Sequence, residues 1–438
     1  MPQWFYQLDL NTQFDLWVVF IGAMTNTACA LLGCYLVLRR MSLLGDAISH
    51  AVLPGLVIAF IFSGTLNIGY MFLGALAVGL LTAVLTETLH RQGGVPEDAA
   101  MGIVFTSLFA LGVILIKRYG QAVDLDPDCV LNGVLEYVDL NTISLFGHAL
   151  PRALVTIAPV LVVNLLFIVV FWKELLVSSF DPALATTMGL RAGLMHYLLM
   201  ALVALTTVAS FEQVGSILVV AMLIVPGATA HLLTERLSRM MWIAAGVAVA
   251  SAVLGHLAAI RFDTNIAGTM SVVVGLFYLA AVFFSPRYGI LSTLLRNLQT
   301  SLRIVCEDLL AMLYRLEELA AGRPMGPREA AQAVGGGMLA GLALWSLLRR
   351  REVRRDGTAL QLTDSGRQRA TQLVRSHRLW EAYLVEYLGL PLDHVHEPAA
   401  RMEHFIGDRL QGRLAADLEE AGTDPHGREI PPERRLPD

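Results

Sequence analysis

Asp46 and His50 stand four residues apart in the stretch RRMSLLGDAISHAVLPG, Arg39 to Gly55. On a helix that spacing puts a carboxylate and an imidazole on one face, about one turn apart. One oxygen and one nitrogen donor suit a first-row divalent cation such as Mn, Fe or Zn better than Na or K. The stretch leads from one long apolar run into the next, and ionisable residues in a membrane point to a functional path. Two other readings are open: Asp46 could cap the second apolar helix, and His50 could bond a backbone carbonyl. A second set lies near the far end of the chain. His377 and Glu381 share the i, i+4 spacing, and His394, His396, Glu397, Glu403 and His404 follow within eleven residues. Such a density of His and Glu points to metal ligation. The chain has no GxxxxGK[ST] loop, and its two lysines, Lys117 and Lys173, lie outside glycine-rich loops, so it is not expected to bind a nucleotide. Neither GxSxG nor HExxH occurs, and no enzyme activity is indicated. Cys29, Cys34, Cys129 and Cys306 lack paired spacing, which argues against a disulfide framework or a Cys-based zinc site.

The elements that position these residues are mostly apolar. The 438 residues are 55% hydrophobic, with a mean hydropathy of +0.59, too apolar for a soluble chain of this size. The net charge of −5 averages a greasy region up to about Ser285 and a charged, Arg-rich region beyond Pro286. A membrane span needs roughly 20 apolar residues. Nine runs qualify: about 16–38, 43–63, 67–89, 99–116, 152–172, 194–211, 214–233, 241–261 and 266–284, the sixth and seventh divided only by Glu212-Gln213. The opening residues MPQWFYQLDLNTQ lack the basic start of a cleavable signal. With the N-terminus outside, inner loops carry Arg39, Arg40, Arg91, Lys173, Arg191, Arg236 and Arg239. That bias sets the C-terminal region in the cytoplasm. Hydropathy places Asp46 only a few residues into the second span, near the inner face.

The loops add two features. The outer loop 117–151 carries Asp124, Asp126, Asp128, Glu136 and Asp139, and reads either as a cation-concentrating mouth or as a solvated loop. The inner loop 173–193 contains a helix start at Asp181-Pro182 and a glycine at 189, the marks of a short helix that could dock a partner. His231, His256, Asp263 and Asn265 read as interfacial residues, and Asn26 and Asn164 as bonds to neighbouring helices. From about 298 the pattern is that of a helical soluble domain. One helix is followed by another at 327–334, Gly335 to Gly337, an apolar helix at 338–349, a charged turn and a long helix at about 364–388. That order is a winged helix-turn-helix.

Residues 20–290 resemble the membrane subunit of ABC importers for manganese, zinc and iron. The motifs are YLVLRRMSLLGDAISHAVLPG at 35–55, SFDPALATTMGLRAG at 179–193, SFEQVGSILVVAMLIVPGATAHLL at 210–233 and FFSPRYG at 283–289. The resemblance implies an all-α polytopic membrane fold of the vitamin B12 permease-like type. It implies a homodimer lining the path, a separate ATP-binding subunit beneath and an extracytoplasmic metal-binding protein above. Asp181, Pro182, Ala183 and Gly189 would belong to the helix that docks the ATPase, and Asp46 and His50 to the metal path.

Residues 302–432 resemble the iron- and manganese-dependent repressors of the diphtheria-toxin-repressor type. The carriers are LQLTDSGRQRA at 360–370, VRSHRLWEAYLVEYLGL at 374–390, VHEPAARMEHFIGDRL at 395–410 and DPHGREIP at 424–431. By that resemblance His377, Glu381 and His396 form an ancillary metal site, and Asp308, Glu403 and His404 a regulatory one. Ala400 and Ala311 stand where further ligands are found in that family, so the second site is expected to be incomplete. The presumed recognition helix, GGGMLAGLALWSLLRR, offers few polar groups to read bases. Arginines between 350 and 355 could position a phosphate backbone without specifying sequence. Sequence-specific DNA binding is therefore not expected.

Together these readings give a permease domain at 1–290, a linker at 291–301, a winged-helix-like domain at 302–371 and a metal-binding and dimerisation domain at 372–438. The expected function is import of Mn(2+) across the bacterial inner membrane, with a fused cytoplasmic metal sensor. Zn(2+) or Fe(2+) import, a membrane-tethered metal-responsive regulator and a secondary carrier are the alternatives.

Overall fold

Long apolar runs in this chain fold as helices, which satisfy every backbone polar group within the segment. A computed structural model describes residues 10–41, 43–64, 68–119, 135, 142–145, 148–319, 325–418 and 422–432. It divides into two units, Met1–Ser292 and Thr293–Asp438. The first unit holds α1 (Leu10–Leu38), α2 (Leu44–Ala51), α3 (Leu53–Ser63), α4 (Ile68–Gly93) and α5 (Glu97–Tyr119). A short antiparallel pair, β1 (Thr142–Leu145) and β2 (His148–Pro151), follows, with Thr142 opposite Pro151. Then come α6 (Arg152–Val170), α7 (Trp172–Phe180), α8 (Pro182–Thr187), α9 (Ala192–Leu233), α10 (Leu237–Phe262) and α11 (Ile266–Phe284). The β pair lies in the stretch read as an outer loop. The five acids of that loop, and Cys129, lie outside the described residues.

Among the described residues, eight helical segments are long and apolar enough to cross a membrane. The remaining one of the nine expected is the shorter apolar helix Leu218–Leu233, the second part of α9. The break in α9 falls at Gly215, φ 74° and ψ 163°, a conformation open to glycine and not to other residues. The two parts run in opposite directions along α1. Arg39 meets His196 and Thr25 meets Gln213; after the break the chain returns, and Gly33 meets Leu223. At Gly33 the two backbones touch: a Cβ there would lie 1.6 Å from the Leu223 carbonyl oxygen. Small residues permit this close packing in a membrane helix bundle. Buried polar side chains tie the same helices together. Asn164 donates to Thr206 Oγ1 at 2.8 Å, and Asn26 reaches Ser251 Oγ at 3.4 Å, the role expected of both asparagines.

Helix α12 (Ile290–Glu318) carries the chain into the second unit, so the stretch 291–301 is helical. It is followed by α13 (Pro327–Ala333), α14 (Gly337–Arg349), β3 (Val353–Asp356), β4 (Ala359–Leu362), α15 (Asp364–Leu388), α16 (His396–Met402) and α17 (Asp408–Asp417). The wing is the antiparallel β3–β4 pair, with Val353 opposite Leu362. Leu309, Leu310 and Leu313 of α12 pack with Ala343 and Leu347 of α14 and with Val353, Leu360 and Leu362 of the wing. Thr363 caps α15 by accepting from Gly366 N at 3.2 Å, and Gly389, φ 64°, ends it. Because α15 is continuous from 364 to 388, it runs unbroken from the end of the wing to the segment that carries His377 and Glu381.

Candidate metal sites

Helix α2 is amphipathic over barely two turns. Leu44, Gly45, Ala47, Ile48 and Ala51 are buried, which leaves Asp46 and His50 on the other face. His50 Nε2 lies 3.5 Å from Asp46 Oδ1, and the side chains are 45% and 42% exposed, respectively. No side chain caps the start of α2, so Asp46 does not serve there as a cap. The His50 ring rests against Phe105 and Phe109 of α5, with centroids 6.0 and 6.1 Å away. Those phenylalanines lie two to three turns into α5, about 12–18 Å along it. His50 thus packs two to three turns along α5, while Asp46, one turn earlier, lies in the first turn of the span Leu44–Ser63, the edge position that hydropathy gives it. Among the described residues no third His, Cys, Asp or Glu joins the pair.

Asp181, Pro182, Ala183 and Gly189 are all exposed and build a short, well-terminated helix. Asp181 Oδ1 accepts from Leu184 N at 2.9 Å, Pro182 opens α8, and Gly189 turns the chain with φ 79°. Phe180, Leu184 and Met188, spaced four apart, are 59%, 49% and 63% exposed. Beneath this helix lies a polar network that the sequence reading missed. Arg39 donates to Ser179 Oγ at 3.1 Å and Ser178 Oγ at 3.0 Å, and its Nη1 is 3.4 Å from His196 Nδ1. His196 Nε2 is 2.8 Å from Glu87 Oε2, and Arg91 pairs with the same carboxylate. The bonds connect α7, just before the short helix, with the ends of α1, α4 and α9. Glu87, a carboxylate inside an apolar run, was the available signal.

The structure brings the C-terminal candidates together. His377 and Glu381 lie on one face of α15 and are buried, 4% and 3% exposed; His396 opens α16. His377 Nε2 is 3.0 Å from Glu381 Oε1 and 3.1 Å from His396 Nδ1, which is 2.9 Å from the same Oε1. Ligands at right angles about 2.1 Å from an ion lie about 3.0 Å apart, whereas a tetrahedral set would be about 3.4 Å apart. The three atoms therefore fit one face of an octahedral ion. Burial pushes the Glu381 carboxyl up, but the bonds and charges of His377 and His396 outweigh it and hold its pKa at about 2. Burial lowers the His377 pKa, but the Glu381 and Glu403 carboxylates raise it by more. Those acids give the site the negative charge a divalent cation needs.

Asp308, Glu403 and His404 converge beside this set. His404 Nε2 is 3.3 Å from Asp308 Oδ1 and 3.9 Å from Glu403 Oε1. The other oxygen of Glu403 is 2.6 Å from His377 Nδ1, so Glu403 links both sets. His394 and Glu397 stay outside: each pairs with an exposed neighbour, Asp393 and Arg401. Glu307, which the sequence reading passed over, holds the far side of the ring. Its Oε2 is 3.0 Å from His404 Nδ1, and its Oε1 accepts from Arg369 at 2.9 Å. Burial lowers the His404 pKa, but Asp308, Glu307 and Glu403 outweigh burial and raise it to about 9. Ala311 is buried on α12 and Ala400 partly buried on α16, and neither brings a ligand.

The chain belongs to the ABC 3 transport family, which residues 11–285 match, and is a multi-pass membrane permease. Residues 363–432 match the iron dependent repressor, metal binding and dimerisation domain. The chain is 47% identical over 286 residues to the manganese transport system membrane protein MntD of Bacillus subtilis (strain 168), covering 65% of this chain and 97% of the relative. It is 39% identical over 290 residues to the zinc transport system membrane protein TroD of Treponema pallidum (strain Nichols), covering 66% of this chain and 79% of that one. Among solved structures, PsaBC from Streptococcus pneumoniae in complex with Fab matches with a TM-score of 0.53 at 33% identity, over 63% of this chain and 93% of that chain. The permease and repressor resemblances read from the motifs agree with both family matches.

Proposed function

We propose that this chain is the permease of an ATP-driven Mn(II) importer whose fused C-terminal domain senses the same ion. The observation that carries the transport reading is the Asp46–His50 pair: two half-exposed ligands, one turn apart, set within the bundle. One chain supplies two donors, and a second copy facing it would supply two more. Four donors divided between two subunits hold an ion without caging it, as passage requires. Mn leads because the relative at 47% identity is named for manganese transport; Zn is the second reading because TroD is named for zinc transport.

A separate ATP-binding subunit docks on α8, with Asp181, Pro182, Ala183 and Gly189 shaping the helix and Leu184 and Met188 its apolar face. The Arg39–Ser178–Ser179–His196–Glu87 network then transmits movement from that helix to α1, five residues ahead of α2. The N-terminus is outside, the C-terminal domain is in the cytoplasm, the membrane is the bacterial inner membrane, and an extracytoplasmic protein delivers the ion. In the cytoplasmic domain His377, Glu381 and His396 hold Mn(II), and Asp308, Glu403 and His404 form a weaker second site without ligands at Ala311 and Ala400. An ion held there would supply positive charge between the donors of α15 and α16; His377, Glu381 and His396 would then hold the two helices together, and import would slow when cytosolic metal is high. Uptake of radiolabelled Mn and Zn, in cells carrying the chain and its ATPase, tests the reading. Asp46→Ala should cut Mn uptake by about tenfold or more; unchanged uptake would remove the path assignment. His377→Ala with Glu381→Ala should leave uptake high at high internal metal, and wild-type inhibition in that variant would remove the brake.

A further inference from the structure

Helix α14 sits where a winged helix reads DNA, yet its open face is not made for bases. Ala340, Ala343, Leu344 and Leu347 are buried. On the other side, Met338, Leu342 and Trp345 are 82%, 45% and 57% exposed, at i, i+4 and i+7. One end of this stripe meets a dense positive rim: Arg349, Arg350, Arg351, Arg354 and Arg355 are all exposed. Arg349 lies over the Trp345 ring, 5.1 Å from its centroid. Arg354 donates to Gln361 Oε1 at 2.8 Å and Arg355 to the Gly357 carbonyl at 3.1 Å, both neutral acceptors. Among the described residues no carboxylate pairs with any of the five. Glu352, in the same run, instead faces Arg369 at 3.1 Å, which leaves Asp356 as the exposed acid of the wing.

An apolar stripe with a tryptophan, beside clustered arginines, is the composition that partitions into the headgroup layer of an anionic bilayer. The chain is already anchored in one. Its last span ends at Phe284, and the opening turns of α12 expose Ile290, Leu291, Leu294, Leu295 and Leu298 along one side. That one-sided pattern suits a helix lying in the headgroup layer. Tethering converts a weak surface contact into an intramolecular one with a high effective concentration. We propose that the α14 face and the β3–β4 wing dock on anionic phospholipid headgroups of the membrane in which the permease sits. Charge complementarity selects this occupant: the face is cationic at its rim and apolar at its centre, with no polar code for sequence.

The test uses the full-length protein in nanodiscs made with brominated lipids, either phosphatidylcholine alone or a mixture with phosphatidylglycerol. The difference in tryptophan emission between wild type and Trp345→Leu isolates residue 345. Its emission should be quenched in the phosphatidylglycerol discs, much less in phosphatidylcholine discs, and released at 1 M salt, where screening is complete within about 3 Å. Removing arginines by Arg354→Gln and Arg355→Gln should weaken docking about fivefold for each charge. These variants retain Trp345 and report on quenching of total emission should Trp345→Leu not accumulate. Equal quenching in both discs, or none in either, overturns the proposal. So does a Trp345 response to an added DNA duplex that lipid does not produce, or one that appears only as protein is concentrated.

Discussion

Metal capture beside His404 should release a proton, and Glu307 controls how tightly that proton is held. The pKa of His404 is raised to about 9 because Asp308, Glu307 and Glu403 outweigh its burial. A cation needs the Nε2 lone pair, so below pH 9 it competes with the proton. The apparent affinity then falls about tenfold per pH unit from this group, or about thirtyfold between pH 8 and pH 6.5. The perturbation is Glu307→Gln, which removes one of the charges holding the imidazolium while Arg369 keeps Glu352, 3.1 Å away. The His404 pKa falls, and the slope of affinity against pH flattens. Affinity itself also drops, by about tenfold, because a residue orienting a ligand is lost. The sign reverses for stability of the metal-free protein. A raised histidine pKa contributes stability below about pH 6.5, and the contribution is lost as pH rises through 9. The assay is calorimetric titration of Mn(II) into the full-length Asp46→Ala protein, in two buffers of different ionisation enthalpy, at pH 6.5 and pH 8. The enthalpy difference between buffers counts the protons released. An affinity that does not change across this range, or an unchanged proton count in Glu307→Gln, would refute the reasoning.

Two further outcomes concern the permease. Gly33→Ala should abolish the folded bundle, because its Cβ would stand 1.6 Å from the Leu223 carbonyl oxygen and both backbones would have to separate; loss of the monodisperse peak in detergent chromatography checks this. Glu87→Ala should destabilise the unit by about 3–5 kcal/mol, because it leaves Arg39, Arg91 and His196 clustered around a missing carboxylate. Thermal unfolding in detergent measures the change, and Glu87→Gln should recover part of it by keeping a hydrogen-bond acceptor.

Local spacing made much of this protein legible. His377 and Glu381 could be placed on one face of a helix because four residues make about one turn, and the 364–388 helix carries them there. Asp181-Pro182 announced the start of α8 because an acidic cap and a proline at the first position are independent local signals. Distant partners were less legible. A hydropathy window reads 43–63 as one span and so puts Asp46 at its edge. The structure agrees, with the span at Leu44–Ser63 and Asp46 in its first turn; what a window does not show is the packing of Gly45 against Leu223.

Missed residues share one property: their partners are remote in sequence. Arg39 finds Ser178, Ser179 and His196 from at least 139 positions away. His256, read as interfacial, is buried and meets Asp15 at 3.0 Å across 241 positions. Glu307 shows the limit most sharply. It adjoins Asp308, and neighbouring helical side chains point in directions about 100° apart. Composition cannot say which of two adjacent acids faces the ligands and which supports them. Only the meeting of α12 with α15 and with His404 decides it: Asp308 lies on the Nε2 side of the ring, while Glu307 lies on the Nδ1 side with Arg369 behind it. Helix periodicity sets the two acids on different sides of α12, and tertiary packing decides which of them faces Nε2 of His404 and which holds Nδ1.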